Sequence, residues 1–72
     1  MESLDKEEEL SSLGSRIKKI REGKNITQAE LAARVNKDQQ SIQRLEAGRV
    51  NPSHISLKEI AEGLGININE VV

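Results

Sequence analysis

The sequence predicts an all-α protein made of five short helices. Apolar residues recur at helical spacing in successive segments, and polar residues that cap helices stand before several of these segments. The chain contains no Phe, Tyr or Trp, so any core consists of Leu, Ile, Val and Ala, a composition that suits short packed helices. Its 72 residues are enough for one domain. A domain of this size buries only about 60% of its unfolded surface and has modest stability.

The composition argues against several classes of function. The absence of Cys excludes thiolate metal sites and thiol nucleophiles, and His54 is a single imidazole. Because there is also no Gly-rich phosphate loop, we expect no enzymatic activity, no cofactor and no metal. No apolar run approaches the roughly 18 residues of a membrane span, and the acidic N-terminus lacks the apolar stretch of a signal peptide. The sequence therefore predicts a soluble cytoplasmic protein with no membrane partner.

Charge divides the chain into an acidic leader over residues 1–10 and a domain over residues 11–72. The leader holds five acidic residues against Lys6, whereas the domain holds ten Lys and Arg against seven Asp and Glu, a formal charge of +3. The leader is interpreted either as a flexible, solvated tail or as an extension of the first helix. In the second case its carboxylates interact favourably with the positive end of the helix dipole.

Capping residues and apolar stripes place the first two helices. The first helix carries the stripe Leu10, Leu13, Ile17 and Ile20. It ends near Lys24, where Asn25 suits the left-handed conformation that often follows a helix. Thr27 and Glu30 then fit a capping box that begins the second helix.

A tight polar turn separates the second helix from a third. Asn36-Lys37 forms the turn, and Asp38 is a good N-cap. The third helix runs from about Gln39 to Ala47, and Gly48 ends it.

The two faces of the third helix differ in chemistry. Ile42 and Leu45 share one face, whereas the opposite face, with Gln39 at its edge, consists of Gln40, Gln43, Arg44 and Ala47. A solvated helix usually mixes charges of both signs, so the lack of an acid here favours an anionic partner over an ordinary polar surface. Two short helices joined by a tight turn are the sequence form of a helix-turn-helix. That motif places its second helix in the major groove of DNA.

Two further helices follow the loop after the third. Ser53 suits the start of the fourth helix, with Ser56 as a competing cap. The apolar side of this helix and the glycine that ends it are Leu57, Ile60, Ala61, Leu64 and Gly65. Asn67 and Glu70 fit a last capping box, after which a fifth helix begins at Ile68.

Several short motifs stand in a characteristic order and spacing. They are Ile20-Arg21, Thr27-Gln-Ala-Glu-Leu-Ala32, Ser41-Ile-Gln-Arg-Leu-Glu-Ala-Gly48, Pro52-Ser53 and Ile60-Ala-Glu-Gly-Leu-Gly65. On these motifs, residues 13–72 resemble the helix-turn-helix domain of the lambda repressor, Cro and Xre type. The third helix is most similar to the recognition helix of the phage 434 repressor, which also reads Gln-Gln-Ser-Ile. The resemblance implies a compact five-helix bundle that binds operator DNA as a dimer.

The resemblance also implies roles for individual residues. Gln39, Gln40 and Arg44 match positions that read base edges, where a glutamine amide pairs with adenine N6 and N7 and an arginine favours guanine O6 and N7. The candidates for phosphate contacts are Thr27, Gln28, Ser41, Gln43, Arg49 and Asn51. Arg21 and Glu46 match a buried, structural ion pair between the first and third helices.

These features predict a sequence-specific regulator of transcription that binds double-stranded DNA, acting as a repressor dimer on a palindromic operator. The dimer surface is expected among the apolar residues after the fourth helix, namely Ile66, Ile68, Val71 and Val72. The alternative is an antitoxin-type or other protein-interaction module of the same fold, in which the acidic leader binds a protein partner. A further hypothesis is that the leader competes with DNA for the binding surface.

Overall fold

The computed structural model describes the backbone of residues 2–72 and the side chains of residues 6–72. This part of the chain forms four α-helices and one short 3₁₀ helix. Their bounds are Glu2–Gly23 for α1, Gln28–Arg34 for α2, Gln39–Glu46 for α3, His54–Leu64 for α4 and Ile68–Glu70 for the 3₁₀ helix. The all-α prediction is confirmed. No helix within these residues is long and apolar enough to cross a membrane.

The acidic leader is helical from Glu2 onward and forms the N-terminal part of α1. The carboxylates of Glu7–Glu9 are exposed, whereas the side chains of Glu2 and Asp5 lie outside the described residues. At the other end of α1, Asn25 has a φ of 58°. The predicted left-handed residue after the first helix is therefore confirmed.

Side-chain hydrogen bonds fix the starts of α2 and α3. The Thr27 hydroxyl accepts the N–H of Glu30 at 3.0 Å, and the Thr27 N–H donates to the Glu30 carboxylate at 2.8 Å, which completes the capping box. The Asp38 carboxylate accepts the N–H of Ser41 at 2.8 Å. Both predicted caps are confirmed. Between the two helices Asn36 takes a φ of 58°, a left-handed conformation that Asn tolerates better than most residues.

The ends of α3 and α4 depend on left-handed glycines. Gly48 has a φ of 73° and Gly65 a φ of 72°, a conformation that is free of steric cost only without a Cβ. At the start of α4, the Ser53 hydroxyl accepts the N–H of Ser56 at 3.0 Å. Ser53 is therefore the N-cap of this helix, and the competing assignment to Ser56 is wrong.

The predicted fifth α-helix is also wrong. The capping box of Asn67 and Glu70 is present, but it begins a single 3₁₀ turn over Ile68–Glu70. The N–H of Val71 donates to the carbonyl of Ile68, three residues earlier, at 2.9 Å. This tighter turn directs Val71 into the core, where none of its surface is exposed.

An aliphatic core lies beneath all four helices. Its buried members are Ile17, Ile26, Leu31, Ala32, Ile42, Leu45, Leu57, Ile60, Ala61, Leu64 and Val71. The dimer surface predicted after α4 is therefore wrong for Val71. Ile66 and Ile68 are partly buried against the core, while Val72 remains 62% exposed. The apolar residues after α4 mostly cover the core of their own chain.

α1 and α3 cross in close contact at Gly14. A Cβ at Gly14 would lie 2.5 Å from the carbonyl oxygens of Leu45 and Glu46. Gly48, which follows α3, faces α1 about one turn before Gly14. A Cβ added at Gly48 would lie 2.9 Å from the Cα of Ser11. The helical pattern of α1 does not identify Gly14 as a contact residue, although a glycine within such a pattern is a recognised sign of close packing. These two glycines allow α1 to pack against the C-terminal end of α3.

Gly14→Ala should lower the free energy of unfolding by about 1–3 kcal/mol, because the backbones of α1 and α3 must separate to accommodate the methyl group. Gly23→Ala is the matched control, since a Cβ there meets nothing within 4 Å. That variant should be neutral or up to about 1 kcal/mol more stable, because Ala favours the helix more than Gly does. Urea unfolding followed by circular dichroism measures both. Equal stability of the two variants would show that the helices do not approach this closely.

Candidate nucleic-acid interface

α3 is anchored on one side and polar on the other. Ile42 exposes none of its surface and Leu45 exposes 6%. The exposed side chains of the same helix are Gln39, Gln40, Gln43 and Arg44. The three residues predicted to read bases therefore stand on the outer face of a helix whose underside is held by the aliphatic core.

The outer side of α3 forms a polar groove with the residues that follow it. The lining side chains are Gln40, Gln43, Arg44, Ala47 and Arg49. Within the described residues, no carboxylate lines this polar groove. Amide and guanidinium groups donate hydrogen bonds to phosphate oxygens and to base edges. The groove thus brings together two predicted base-reading residues and two predicted phosphate contacts.

Three other predicted phosphate contacts already use one donor inside the protein. The backbone N–H groups of Thr27 and Ser41 donate to carboxylates in their own capping turns, each at 2.8 Å. The side-chain amide of Gln28 donates to Glu46 at 3.0 Å. Each residue keeps another side-chain donor. For Thr27 and Ser41 it is the hydroxyl, and for Gln28 it is the second amide N–H. These donors, together with the backbone N–H of Gln28 in the first turn of α2, are available to a phosphate.

Asn51 lies apart from the polar groove. It lines a different surface groove together with Glu8, Glu9 and Arg16 of α1. Two carboxylates against one guanidinium leave these α1 side chains with a net negative charge, which repels phosphate groups. The structure therefore places Asn51 in a groove with the acidic leader and not in the polar groove with Arg44 and Arg49.

The N-terminal tip of α3 carries the carboxylate of Asp38. The backbone N–H of Ser41 donates to this carboxylate and holds the pKa of Asp38 below its ordinary value, and the positive charge of Arg44 lowers it further. Asp38 is therefore ionised at neutral pH. A carboxylate beside Gln39 can accept a hydrogen bond from a cytosine amino group, but it repels phosphates. It restricts the way in which this tip can approach DNA.

A buried ion pair holds the C-terminal end of α3. Nε of Arg21 donates to Oε2 of Glu46 at 2.6 Å, and Nη2 donates to Oε1 at 3.0 Å. These hydrogen bonds raise the pKa of Arg21. The same guanidinium donates from Nη1 to the carbonyl of Ile26 at 2.8 Å. Since Gln28 also donates to Glu46, the end of α1, the start of α2 and the end of α3 meet at one cluster.

Three further cationic side chains join distant parts of the fold, in contacts that the sequence did not predict. Arg16 of α1 donates to the carbonyl of Val71 at 3.0 Å. Arg34 of α2 donates to the carbonyl of Gly63 in α4 at 3.2 Å. Lys37, in the turn before α3, lies 3.5 Å from the carboxylate of Glu59 in α4. The partners are far apart in the sequence, so no local pattern marks any of these contacts.

The sequence pattern of the helix-turn-helix family HTH_3 matches residues 17–71. The chain belongs to this family. The matched range of the HTH_3 domain contains α2, α3, α4 and the buried ion pair, and it includes every residue predicted to contact DNA.

Three proteins illustrate the relationships of this HTH_3 domain. An uncharacterized HTH-type transcriptional regulator, y4dJ, of Sinorhizobium fredii is 42% identical over 60 residues, which are 83% of this chain and 78% of that protein. The immunity repressor protein of Bacillus phage phi105 is 36% identical over 61 residues, 85% of this chain but 42% of the repressor. The crystal structure of the restriction-modification controller protein C.AhdI from Aeromonas hydrophila superposes with a TM-score of 0.86. It has 26% identity over 89% of this chain and 97% of that one.

Glu46→Gln should lower the free energy of unfolding of this HTH_3 domain by about 3–5 kcal/mol, because it leaves the buried charge of Arg21 without its partner. Glu22→Gln is the matched control. Glu22 lies 4.0 Å from the same guanidinium, but its side chain is 57% exposed, and such a pair contributes less than about 1 kcal/mol. Thermal and urea unfolding measure both variants. If the two melted alike, the buried pair would not stabilise the fold.

Proposed function

We propose that this DNA-binding transcriptional regulator is a repressor that binds a palindromic operator as a dimer. The observation that carries the proposal is the outer face of α3, which presents three amides and the guanidinium of Arg44 on a helix anchored by Ile42 and Leu45. Relatives that share most of this chain carry the names transcriptional regulator and immunity repressor. A repressor that occupies a promoter needs sequence-selective binding, and this face has the groups for it.

Base reading is assigned to Gln39, Gln40 and Arg44. All three side chains are exposed, and Arg44 lies one turn after Gln40 on the same side of α3. The likeness of the segment Gln39–Ile42 to the recognition helix of the phage 434 repressor supports this assignment. A glutamine at this position selects adenine through its N6 and N7, and Arg44 selects guanine through O6 and N7.

Phosphate binding is assigned first to Gln43 and Arg49, because they share the polar groove with Arg44. Thr27, Gln28 and Ser41 contribute through the hydroxyl and amide donors that the protein does not itself use. Asn51 is the weakest member of the set, since carboxylates of the acidic leader stand beside it. With a charge of only +3 over residues 11–72, affinity for random DNA is low and falls steeply with salt.

Dimerisation is assigned to apolar side chains that the chain leaves uncovered. Ile55, in the first turn of α4, is 70% exposed, and Val72 is 62% exposed. The sequence analysis missed Ile55 because its neighbours Leu57 and Ile60 satisfy the apolar stripe of α4. A two-fold dimer would present two copies of α3 to half-sites about 34 Å apart along the duplex.

Gln40→Ala should weaken binding to the selected operator by about 1–3 kcal/mol and relax the base preference at one position. Arg49→Ala is the matched contrast, since a lost phosphate contact weakens binding to every sequence and reduces the salt slope by about 1. Selection from a randomised duplex library supplies the operator, and fluorescence anisotropy over a salt series measures both variants on operator and on random DNA.

Equal loss of affinity by Gln40→Ala on the operator and on random DNA would contradict base reading. No DNA binding by the wild type at low salt would favour a protein-interaction module.

Ile55→Ser should raise the dimer dissociation constant by about tenfold or more, because an apolar side chain of this size contributes about 1.5–3 kcal/mol when buried. The monomer should keep its stability, since Ile55 is already exposed. Sedimentation equilibrium measures self-association, and Lys58→Ser, a change at another exposed position of α4, serves as the control. Unchanged self-association in Ile55→Ser would place the interface elsewhere.

A further inference from the structure

A cleft of about 190 Å³ lies between the inner side of α3 and α4. Its apolar lining includes Ile42, Leu45 and Ile60, each of which exposes 6% or less of its surface. Val50, in the loop over residues 47–53, also lines it. We call this the α3–α4 cleft. Among the side chains of residues 6–72, Arg44 is the one that lines both this cleft and the polar groove.

Short side chains stand at the cleft. Ser41 and Ser56 line it, and the chain has no aromatic residue. Val50 keeps 36% of its surface exposed. An apolar cavity of about 150 Å³ lined by Leu, Ile and Phe binds benzene. The cleft therefore has room for an apolar body about the size of one ring. That body would cover the exposed parts of Val50 and Pro52, since Ile42 and Ile60 already expose almost none of their surface.

The charged residues of the cleft are both cationic. Lys37 and Arg44 line it, and no carboxylate does so in the part of the chain that the structure describes. The ammonium of Lys37 lies 3.5 Å from the carboxylate of Glu59, and both side chains are partly exposed. Because such an ion pair contributes little free energy, a competing anion can take the place of Glu59 at little cost. The guanidinium of Arg44 has no carboxylate within 4.0 Å among the described ion pairs. Asp38 is near enough for its charge to interact with Arg44 but does not line the cleft.

We propose that the α3–α4 cleft binds a small organic carboxylate whose apolar body is about the size of a benzene ring. The apolar body would rest on Val50 and Pro52, above the buried side chains of Ile42, Leu45 and Ile60. The carboxylate would accept charge-assisted hydrogen bonds from Arg44 and Lys37 at the rim, where a charged donor strengthens each bond.

Occupation of the cleft would alter DNA binding through Arg44. A guanidinium held by a carboxylate at the cleft is not free to reach a guanine edge, so the ligand lowers affinity for the operator. This consequence rests on the proposed function, whereas binding of the carboxylate itself does not. The cleft would make the repressor responsive to an apolar organic acid.

Benzoate is the probe for the cleft. Two-dimensional ¹⁵N–¹H NMR spectra of the full chain, recorded during a benzoate titration without DNA, should show saturable shifts confined to α3, the loop over residues 47–53 and the first two turns of α4. A ligand of this size should bind with a dissociation constant on the order of 1 mM. Benzyl alcohol keeps the ring without the charge, and acetate keeps the charge without the ring. Each should bind about tenfold more weakly or not at all.

Ser56→Leu should abolish the benzoate shifts, because the new side chain fills the cleft. Ser15→Leu, the same change on the exposed surface of α1, should leave them unchanged. Lys37→Gln combined with Arg44→Gln tests the charges without altering the core, and should reduce benzoate affinity to that of benzyl alcohol. No saturable shifts, shifts spread over the whole surface, or undiminished binding to Ser56→Leu would each overturn the proposal.

The effect on DNA is measured separately. Benzoate should weaken wild-type binding to the selected operator, relative to sodium chloride at the same ionic strength, and should have no effect on Ser56→Leu. Benzoate binding without any effect on operator affinity would overturn the regulatory consequence while the cleft assignment stands. Failure to select any operator would instead overturn the proposed function, and the NMR result would still decide the cleft.

Discussion

The fold depends on one buried cluster in which Arg21 and Glu46 pair with each other and with two neighbours. Both nitrogen edges of the guanidinium are satisfied, by the Glu46 carboxylate and by the carbonyl of Ile26, and Gln28 supplies a further donor to Glu46. Among residues 6–72, every buried side-chain nitrogen and oxygen has a hydrogen-bond partner. Such completeness is what makes buried charge tolerable, because an unsatisfied member would carry a large desolvation penalty. The cluster therefore ties α1, α2 and α3 together at one point.

The apolar core does not by itself determine how α1, α2 and α3 pack against one another. It consists of Ile, Leu, Val and Ala side chains, whose similar shapes pack acceptably in several registers. We infer that two features select among these registers. The ion pair fixes which turn of α1 faces the end of α3, and Gly14 admits the backbone of α3 at 2.5 Å from where a Cβ would stand. A larger residue at Gly14 or an uncharged one at Glu46 would therefore leave several packing registers possible, although the apolar pattern would be unchanged.

The sequence predicted the local features of this fold well and the long-range ones poorly. The caps at Thr27 and Asp38 involve residues three apart, so their side chains and spacing are sufficient to identify them. The burial of Val71 was missed because an apolar residue near a helix end is equally satisfied by its own core or by a partner chain. The 3₁₀ turn that replaces the predicted α-helix places Val71 in that core.

The same division applies to the candidate interface. The faces of α3 follow from its 3.6-residue period, so the exposure of Gln40 and Arg44 could be predicted. The sequence could not predict which side chains line the same groove, because the path of the chain after Gly48 determines which of them lie together. That path brings Arg49 beside Arg44 and leaves Asn51 near Glu8. The family resemblance correctly gave the Arg21–Glu46 pair, but the engagement of Gln28 with the same carboxylate has no signature in the sequence.

The charge distribution explains why rigidity matters for recognition. The domain carries only +3 over residues 11–72, and its leader is acidic, so electrostatic attraction to random DNA is small. Selectivity must then come from a few amide and guanidinium contacts, each worth about 1–3 kcal/mol only when its geometry is correct. An error of about 1 Å in the position of α3 would forfeit them. Under the proposed base reading by Gln40 and Arg44, the buried pair at the far end of α3 would serve recognition indirectly, since it holds the helix that carries both side chains.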